Sequence, residues 1–331
     1  MNRSLKIELK EGIMMTEFKK IANIGGGVIG SSFSLIFARG GLDVVNISRN
    51  QDGVKRTQDK VNGMLKQLIE NKIINEEDKE KILSHISYST DLEEGLKDID
   101  YAQENWPEIM EKKHEIVEIF EKYAPDKAVL ASSTSGLLVS DIAKNAKHPE
   151  RIIGVHPYNP PHIIPLIEIV KGEKTSEDLA EKVKKFFEDL GKIPVILNKE
   201  VPGYIANRLQ AAVFRETIDL VVNGVASIED VDKALTFGPG IRWGIMGSGL
   251  NFELASDKGL EGMINVIGKS MLTWLDDMAT WTEFPEGTSS LYEGIDEAIK
   301  NRPKEIGNDR ESLNEYRTKM LIEILKLHKL I

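Results

Sequence analysis

His156 and Glu168 are the residues in this sequence whose types and spacing best suit proton transfer. His156 follows the apolar run RIIGV and precedes Pro157, which biases it towards extended backbone, and Glu168 lies twelve residues further on in LIEIV. A histidine that takes a proton from an alcohol needs an acceptor for its other ring nitrogen, which a glutamate on a neighbouring strand can supply. An ordinary structural hydrogen bond between the two side chains is the alternative interpretation.

A glycine-rich segment near the start of the chain suits phosphate binding. The stretch KKIANIGGGVIGSSF places Gly25, Gly27 and Gly30 in G-x-G-x-x-G spacing, after a predicted strand and at the start of a predicted helix. Such a loop lets the backbone approach a pyrophosphate, to which the helix N-terminus presents unpaired N–H groups and partial positive charge. We therefore predict a dinucleotide site that includes the first turn at Val28 and Ile29. A tight connection without a ligand is the alternative.

The second predicted strand ends without the carboxylate that usually follows such a loop by about twenty residues. After DVVNI the chain has Ser48 and Arg49. A carboxylate there binds the ribose hydroxyls and repels a 2′-phosphate, whereas a hydroxyl beside a guanidinium can bind that phosphate through charge-assisted hydrogen bonds. Ser48 and Arg49 therefore favour NADP(H), with Asn50, Lys55 and Arg56 as helpers. In the alternative, Arg49 is a solvated surface residue and a neighbouring aspartate binds the ribose.

Strands and helices alternate through the first two hundred residues and would position these groups. The segments that we interpret as strands are KIANI, DVVNI, DYAQE, KAVLAS, RIIGV, LIEIV and IPVIL. This alternation predicts a parallel sheet covered by helices, and ligands of such sheets bind at the carboxyl ends of the strands. Between the second and third of these strands, residues 51–87 predict an amphipathic helical excursion. The fold class is thus α/β, a Rossmann-type doubly wound sheet.

The chain divides into three predicted regions. Residues 1–15 are interpreted as a leader or alternative start, with translation beginning at Met1, Met14 or Met15. Residues 16–199 form the dinucleotide-binding domain. From Pro202 onward the apolar spacing is mostly helical, so residues 200–331 are predicted to form an all-α C-terminal domain that ends in one long helix.

Composition excludes several classes of function. The 331 residues include 53 acidic and 43 basic side chains, for a formal charge of −10, and no basic block that would follow a nucleic-acid backbone. The chain has no cysteine, which excludes disulfides and thiolate sites, and we see no cluster of metal ligands. No apolar run approaches the roughly 20 residues of a spanning helix. We expect a cytoplasmic protein that binds neither nucleic acid nor membrane.

Taken together, the motifs resemble the 3-hydroxyacyl-CoA dehydrogenase superfamily. The resemblance rests on the glycine loop, QEN, SSTSG, HPYNPP followed by LIEIV, and PGYIANRL, and it extends from about Ile21 to the C-terminus. It implies that the proton-transfer pair is His156 and Glu168. In such enzymes the pair serves the reversible oxidation of a secondary alcohol at C3 of an acid, by hydride transfer to a nicotinamide cofactor. The resemblance also implies a homodimer formed through the helical domain.

The same resemblance assigns further site residues. The serine of the family's N-T-S motif corresponds to Ser135, and the asparagine of its P-G-F-I-x-N-R motif corresponds to Asn207; both are expected to contact the substrate oxygens. Glu104 corresponds to a glutamate near the nicotinamide. Alternatively, Ser135 caps a helix and Asn207 is a surface residue. The family mostly uses NAD and has an aspartate where Ser48 stands, so the resemblance favours NAD while the residues favour NADP(H).

The HPYNPP and FGPGIRWGIMG stretches resemble the branch of the family that does not use CoA, which includes L-carnitine dehydrogenase and L-gulonate 3-dehydrogenase, also a lens crystallin. Arg242 could bind a free carboxylate or form an interdomain salt bridge. Trp243, with Trp274 and Trp281, could face a quaternary ammonium group or belong to a core. We therefore expect a small free 3-hydroxy acid as substrate. The alternatives are a short 3-hydroxyacyl-CoA, or a non-catalytic dinucleotide-binding or structural protein.

Overall fold

The computed structural model describes residues 18–331, so the leader and start-site predictions lie outside the described residues. The described chain divides into two compact units. One extends through Asn207 and includes Lys329–Ile331, and the other is Arg208–His328. The sequence-based boundary, near Lys199, lies slightly earlier in the chain.

The first unit is built on one eight-stranded sheet with the order β3-β2-β1-β4-β5-β6-β7-β8. The strands are β1 (Lys20–Ile24), β2 (Asp43–Ile47), β3 (Ile86–Ser89), β4 (Tyr101–Glu104), β5 (Val129–Ser132), β6 (Ile152–Pro157), β7 (Leu166–Lys171) and β8 (Ile193–Leu197). Buried apolar residues dominate strands β1, β5, β6 and β7, as expected for a sheet covered on both faces. The Rossmann-type prediction is confirmed.

Two details of the predicted sheet were wrong. Strand β3 begins within the stretch that we interpreted as helical. The sequence did not indicate it because ISYS is short and mostly polar, as an edge strand can be. Strands β1 to β6 pair in parallel, but β7 is antiparallel to β6, and β8 is parallel to β7. The connection between β6 and β7, residues 158–165, is too short for the crossover of a dozen or more residues that parallel strands require.

Helices cover the sheet. They are α1 (Val28–Arg39), α2 (Gln51–Glu70), α3 (Lys79–Ser84), α4 (Leu92–Leu96), α5 (Met110–Tyr123), α6 (Val139–Ile142) and α7 (Glu177–Asp189). Helix α1 is buried along most of its length, and its Phe37 packs against Tyr101 of β4 and Phe186 of α7. This packing fixes the helix that begins at the glycine loop.

The second unit is helical in its described residues. Helix α8 (Ala206–Val222) begins in the first unit and continues into the second; then follow α9 (Ile228–Leu235), α10 (Ile241–Glu253), α11 (Gly259–Asp277), α12 (Ser289–Asn301) and α13 (Arg310–Leu327). A π-helical turn, Thr236–Gly240, contains the predicted GPG break, and α10 is interrupted at Met246 and Gly247. Among residues 18–331, no helix has the length and apolar composition needed to cross a bilayer.

Candidate active site

The structure brings His156 and Glu168 into direct contact. They are paired residues on the antiparallel strands β6 and β7, and His156 Nδ1 lies 2.8 Å from Glu168 Oε2. Both side chains are buried. Because Nδ1 is engaged by a carboxylate, Nε2 is the ring nitrogen that can exchange a proton with a ligand.

The second oxygen of Glu168 is held by backbone. Glu168 Oε1 accepts hydrogen bonds from the N–H groups of Ile205, at 2.8 Å, and Ala206, at 3.0 Å. The chain turns sharply just before them, with φ of 74° at Gly203 and 51° at Tyr204, so successive N–H groups converge at the start of α8. Such a concave arrangement of N–H groups, often called a nest, binds an anion, and a helix N-terminus favours negative charge.

These contacts determine the charge of Glu168. Burial raises the pKa of the Glu168 carboxyl, but the hydrogen bonds from His156, Ala206 and Ile205 and the attraction to His156 outweigh burial and leave this pKa below its ordinary value. The carboxylate therefore stays ionised near neutral pH and can stabilise an imidazolium on His156.

Ser135 and Asn207 also lie together. Asn207 Nδ2 donates to the Ser135 carbonyl at 2.9 Å. Ser135 is exposed, and its side chain does not cap a helix, since the residue before α6 is Leu138 and has no side-chain capping bond. The helix-cap alternative is therefore excluded. Tyr204 links the same segments, because its hydroxyl donates to the Leu137 carbonyl at 2.9 Å and its ring packs edge-on to His156, with centroids 5.5 Å apart.

Glu104 is almost completely buried and its carboxylate is engaged within the protein. Lys113 Nζ lies 2.9 Å from both Glu104 oxygens, and Ser132 Oγ and the Trp106 N–H also donate to them. With both oxygens occupied, the side chain serves first to hold β4, β5 and α5 together.

Sequence reasoning missed Glu108 and Lys113. The half-exposed Glu108 accepts hydrogen bonds from the N–H groups of Ser135, at 2.7 Å, and Gly136, at 3.1 Å, and from the Thr134 hydroxyl at 2.7 Å. It therefore holds the loop that carries Ser135. The available signal was a second carboxylate shortly after Glu104, in QENWPE, followed by a lysine in the next helix.

The glycine loop has the geometry that a pyrophosphate site requires. Gly25 has a φ of 111°, and a Cβ on Gly30 would lie 2.0 Å from the Gly25 carbonyl oxygen, so both positions need glycine for the fold itself. A Cβ on Gly27 would meet nothing within 4 Å. Gly27 is the N-cap of α1 and has no side chain that could cap the N–H groups of the first turn. The next two residues are the exposed Val28 and the partly buried Ile29. The open N-terminus therefore fits a dinucleotide phosphate.

The Ser48 hydroxyl does not point outward as predicted. Ser48 is only 3% exposed, and its hydroxyl donates to Asn46 Oδ1 and pairs with the Thr57 hydroxyl, each at 3.1 Å. It is turned inward because Asn46 and Thr57, which the prediction did not consider, offer it buried polar partners. Arg49, in contrast, is exposed.

Other cations lie near the glycine loop. Lys60 of α2 has its Nζ 3.5 Å from the Gly26 carbonyl oxygen. Arg56, also on α2, has its Nη2 beside Gly53 in the first turn of that helix, 3.8 Å from where a Cβ on Gly53 would lie. Within residues 18–331, neither Arg49, Arg56 nor Lys60 forms an ion pair with a carboxylate. The end of β2 is therefore followed by positive charge that the protein does not neutralise by direct contact.

The remaining candidates lie in the second unit. Arg242 is exposed near the start of α10, Trp243 is 38% exposed, and Trp274 is 57% exposed. Trp281 packs against a core cluster and donates from Nε1 to Asp219 Oδ1 at 3.2 Å. For Trp281 the core interpretation is therefore the correct one.

Comparisons with known proteins show the family to which the chain belongs. The family model described as 3-hydroxyacyl-CoA dehydrogenase, NAD binding domain, matches residues 20–201, and the model of the family's C-terminal domain matches residues 203–293. L-carnitine dehydrogenase of Oceanobacillus iheyensis is 33% identical over 93% of this chain and 98% of that protein. A 3-hydroxyacyl-CoA dehydrogenase of Gibberella moniliformis is 34% identical over 86% of this chain and 89% of its own.

A solved structure extends the likeness to the fold. The structure of 5-formyl-3-hydroxy-2-methylpyridine 4-carboxylic acid 5-dehydrogenase, described as an NAD⁺-dependent dismutase, superposes with a TM-score of 0.77 at 26% identity, covering 93% of this chain and 98% of that one. The glycine loop, the two-domain match and these relatives lead to one assignment. The chain belongs to the 3-hydroxyacyl-CoA dehydrogenase family, whose members are nicotinamide-dependent oxidoreductases of CH–OH groups.

Proposed function

We propose that this protein reversibly oxidises the C3 secondary alcohol of a small free 3-hydroxy acid to the 3-keto acid, with NADP(H) preferred over NAD(H). The observation that carries the proposal is the His156–Glu168 pair, held by the 203–206 nest beside Ser135 and Asn207. Support for a free acid comes from the relatives named L-carnitine dehydrogenase, which match almost the whole chain.

The residues of the site divide the work. His156 Nε2 takes the proton of the C3 hydroxyl, and the Glu168 carboxylate keeps the ring oriented and stabilises the imidazolium. The Ser135 hydroxyl and the second N–H of the Asn207 amide hydrogen-bond the substrate oxygens, since the first N–H is used on the Ser135 carbonyl. The bound cofactor supplies the acceptor for the C3 hydride. In the reverse direction, the His156 imidazolium returns the proton to the ketone oxygen.

The preference for NADP(H) is supported by charge. The exposed Arg49 follows β2, Arg56 and Lys60 lie on the adjoining helix α2, and the end of β2 has no carboxylate to repel a 2′-phosphate. We assign phosphate recognition to these cations and not to the Ser48 hydroxyl. A charge-assisted hydrogen bond contributes about 1.5–3 kcal/mol, which corresponds to about ten- to a hundredfold in affinity.

Two residues of the second unit are assigned to the substrate. We assign Arg242 to the substrate carboxylate and Trp243 to the opposite end of the substrate. An aromatic face suits a quaternary ammonium group better than it suits the polar chain of a sugar acid. A short 3-hydroxyacyl-CoA is the second candidate, favoured by the relative named 3-hydroxyacyl-CoA dehydrogenase.

A homodimer formed through the helical unit is also proposed. Large apolar side chains are exposed there, including Phe237 at 74%, Leu254 at 72%, Val266 at 78% and Leu272 at 67%. Such a concentration of exposed apolar surface is typical of a surface that another chain covers. Light scattering at micromolar concentration tests this directly, and a monomer there contradicts the proposal.

The first experiment is a side-by-side titration with NADPH and NADH at one moderate salt concentration, following nucleotide fluorescence. We expect NADPH to bind about tenfold or more tightly; equal or tighter NADH binding overturns the preference. Turnover is then measured with L-carnitine, other free 3-hydroxy acids, sugar acids and 3-hydroxybutyryl-CoA. Turnover with the CoA ester alone selects the second candidate.

The variant His156→Ala separates an enzyme from a non-catalytic dinucleotide-binding or structural protein. An enzyme loses about 10²–10⁴-fold in kcat while nucleotide binding stays close to that of the wild type. A wild type that binds dinucleotide but turns over none of these substrates supports the non-catalytic alternative.

A further inference from the structure

Two asparagines are paired side by side beneath the glycine loop. Asn23 of β1 and Asn46 of β2 are register partners, and both are completely buried. Central strands of a parallel sheet normally present branched apolar side chains at such positions, because a buried amide costs free energy unless it is fully hydrogen-bonded. A buried amide pair at these two positions therefore calls for a purpose beyond packing.

Each asparagine holds one end of the glycine loop. Asn23 Nδ2 donates to the Gly30 carbonyl at 2.5 Å, and Asn46 Nδ2 donates to the Gly25 carbonyl at 3.2 Å. Both also donate to the hydroxyl of Ser34 on α1, at 2.7 Å and 3.1 Å. The first and last glycines of the G-x-G-x-x-G motif are thus fixed to the sheet by the two asparagines, which share the Ser34 hydroxyl as a second acceptor.

The side-chain oxygens of the pair extend the network in two directions. Asn46 Oδ1 accepts the inward hydroxyl of Ser48. Asn23 Oδ1 accepts from Asn105 Nδ2 at 2.8 Å, and Asn105 Oδ1 in turn accepts from the Ser133 hydroxyl at 2.8 Å. All the polar side-chain atoms of the two asparagines are therefore satisfied, and the network reaches the loop after β5 that carries Ser135.

We propose that Asn23 and Asn46 are positioning residues for the dinucleotide: with Ser34 they clamp both ends of the Gly25–Gly30 loop, so that its free N–H groups are held ready for the pyrophosphate. The inference rests on dinucleotide binding, as the proposed function does. It adds that residues outside the glycine motif hold the loop in the conformation that binds the nucleotide. Preorganised donors bind an anion more tightly because the loop loses less freedom on binding.

The pyrophosphate is common to both nucleotides, so the clamp must affect them equally. The test measures NADPH and NADH affinity by nucleotide fluorescence, together with Tm, for Asn23→Val, Asn46→Leu, Ser34→Ala and the triple variant. Each single change is expected to weaken both nucleotides by about five- to tenfold and to lower Tm, because partners are left unpaired. The ratio of NADPH to NADH affinity is expected to stay unchanged.

Measuring affinity at a temperature well below the Tm of every variant distinguishes positioning of the loop from a general loss of stability. The triple variant leaves the Gly25 and Gly30 carbonyls without their asparagine donors, so at that temperature both affinities are expected to be about fivefold or more weaker than those of the wild type. The control is Thr217→Val, which removes a buried hydroxyl bonded to the Val213 carbonyl in the second unit and should change Tm but not affinity.

Three outcomes are decisive. A triple variant that binds both nucleotides like the wild type overturns the clamp, as does a change confined to NADPH. Weaker binding of both nucleotides, measured well below Tm and with the affinity of Thr217→Val unchanged, supports it. A wild type that binds neither nucleotide refutes the proposed function itself, and the clamp with it.

Discussion

Replacing Glu168 with glutamine removes one charge and keeps the shape of the side chain. The glutamine oxygen can still accept from the Ile205 and Ala206 N–H groups, as Glu168 Oε1 does. Its NH₂ group then faces His156 Nδ1, which must become an acceptor, so the proton moves to Nε2. A histidine with a proton on Nε2 cannot act as the base for the substrate hydroxyl.

The magnitude follows from this loss of the base. General base catalysis contributes about 10²–10⁴-fold, so kcat for alcohol oxidation should fall by that factor, equivalent to about 2.7–5.5 kcal/mol in the activation barrier. Nucleotide affinity should stay within about twofold of the wild type, because the glycine loop is untouched.

The assay is steady-state alcohol oxidation across pH, with thermal unfolding measured in parallel. The native pKa of Glu168 is lowered, so its ionised form adds stability above its ordinary pKa of 4.5, and this stability is lost as pH falls through the lower native value. Glu168→Gln should remove that part of the acid sensitivity. A variant that keeps kcat within about threefold of the wild type would refute the assignment of His156 and Glu168 as the proton-transfer pair.

Three further predictions rest on other contacts. Arg49→Ala should weaken NADPH by about tenfold in a fluorescence titration and leave NADH nearly unchanged; equal weakening of both contradicts phosphate recognition. Lys113→Met leaves the buried Glu104 carboxylate unpaired and should cost about 3–5 kcal/mol in unfolding free energy by denaturant titration, whereas a cost below about 1 kcal/mol contradicts the pairing. Burial and nearby cations lower the pKa of His162 from 6.5 to about 4. Between about pH 6.5 and 4 the unfolded chain binds a proton at His162 that the folded chain does not, so the free energy of unfolding should decrease as pH falls through this range. His162→Gln should diminish this decrease, and the same pH dependence of unfolding free energy in the variant and the wild type would contradict the role of His162.

Most of the fold of the first unit could be predicted from the sequence, because the spacing of apolar residues and the positions of glycine and proline indicate the same strands and helices. The glycine loop sits where the structure has it, between β1 and α1, since Gly25 and Gly30 are required by local backbone geometry. Strand β3 was missed because four residues with polar faces carry too little pattern to separate an edge strand from a helix end. The short connection of residues 158–165 could have indicated that β7 is antiparallel to β6. The spacing of apolar residues, on which the prediction relied, does not distinguish parallel from antiparallel strands.

The orientation of polar side chains could not be predicted in the same way. Ser48 has the sequence position of a ribose-binding residue, yet its hydroxyl points inward because Asn46 and Thr57 offer buried partners. The sequence places a serine at the end of β2 but does not say which of its neighbours it bonds. Such choices depend on contacts between β2 and α2 that exist only after folding.

The nest around Glu168 illustrates the same limit at the site itself. The twelve-residue spacing to His156 indicates a pair, but the charge of that pair depends on the N–H groups of Ile205 and Ala206, distant in sequence. Those N–H groups converge because Gly203 and Tyr204 both adopt positive φ, which a glycine adopts readily and a tyrosine rarely does. The buried contact of Tyr204 with His156 and its bond to the Leu137 carbonyl hold it there. The segment PGYIANR thus keeps Glu168 ionised and brings Asn207 to Ser135, so one turn supports both the proposed proton-transfer pair and the loop that we propose binds substrate.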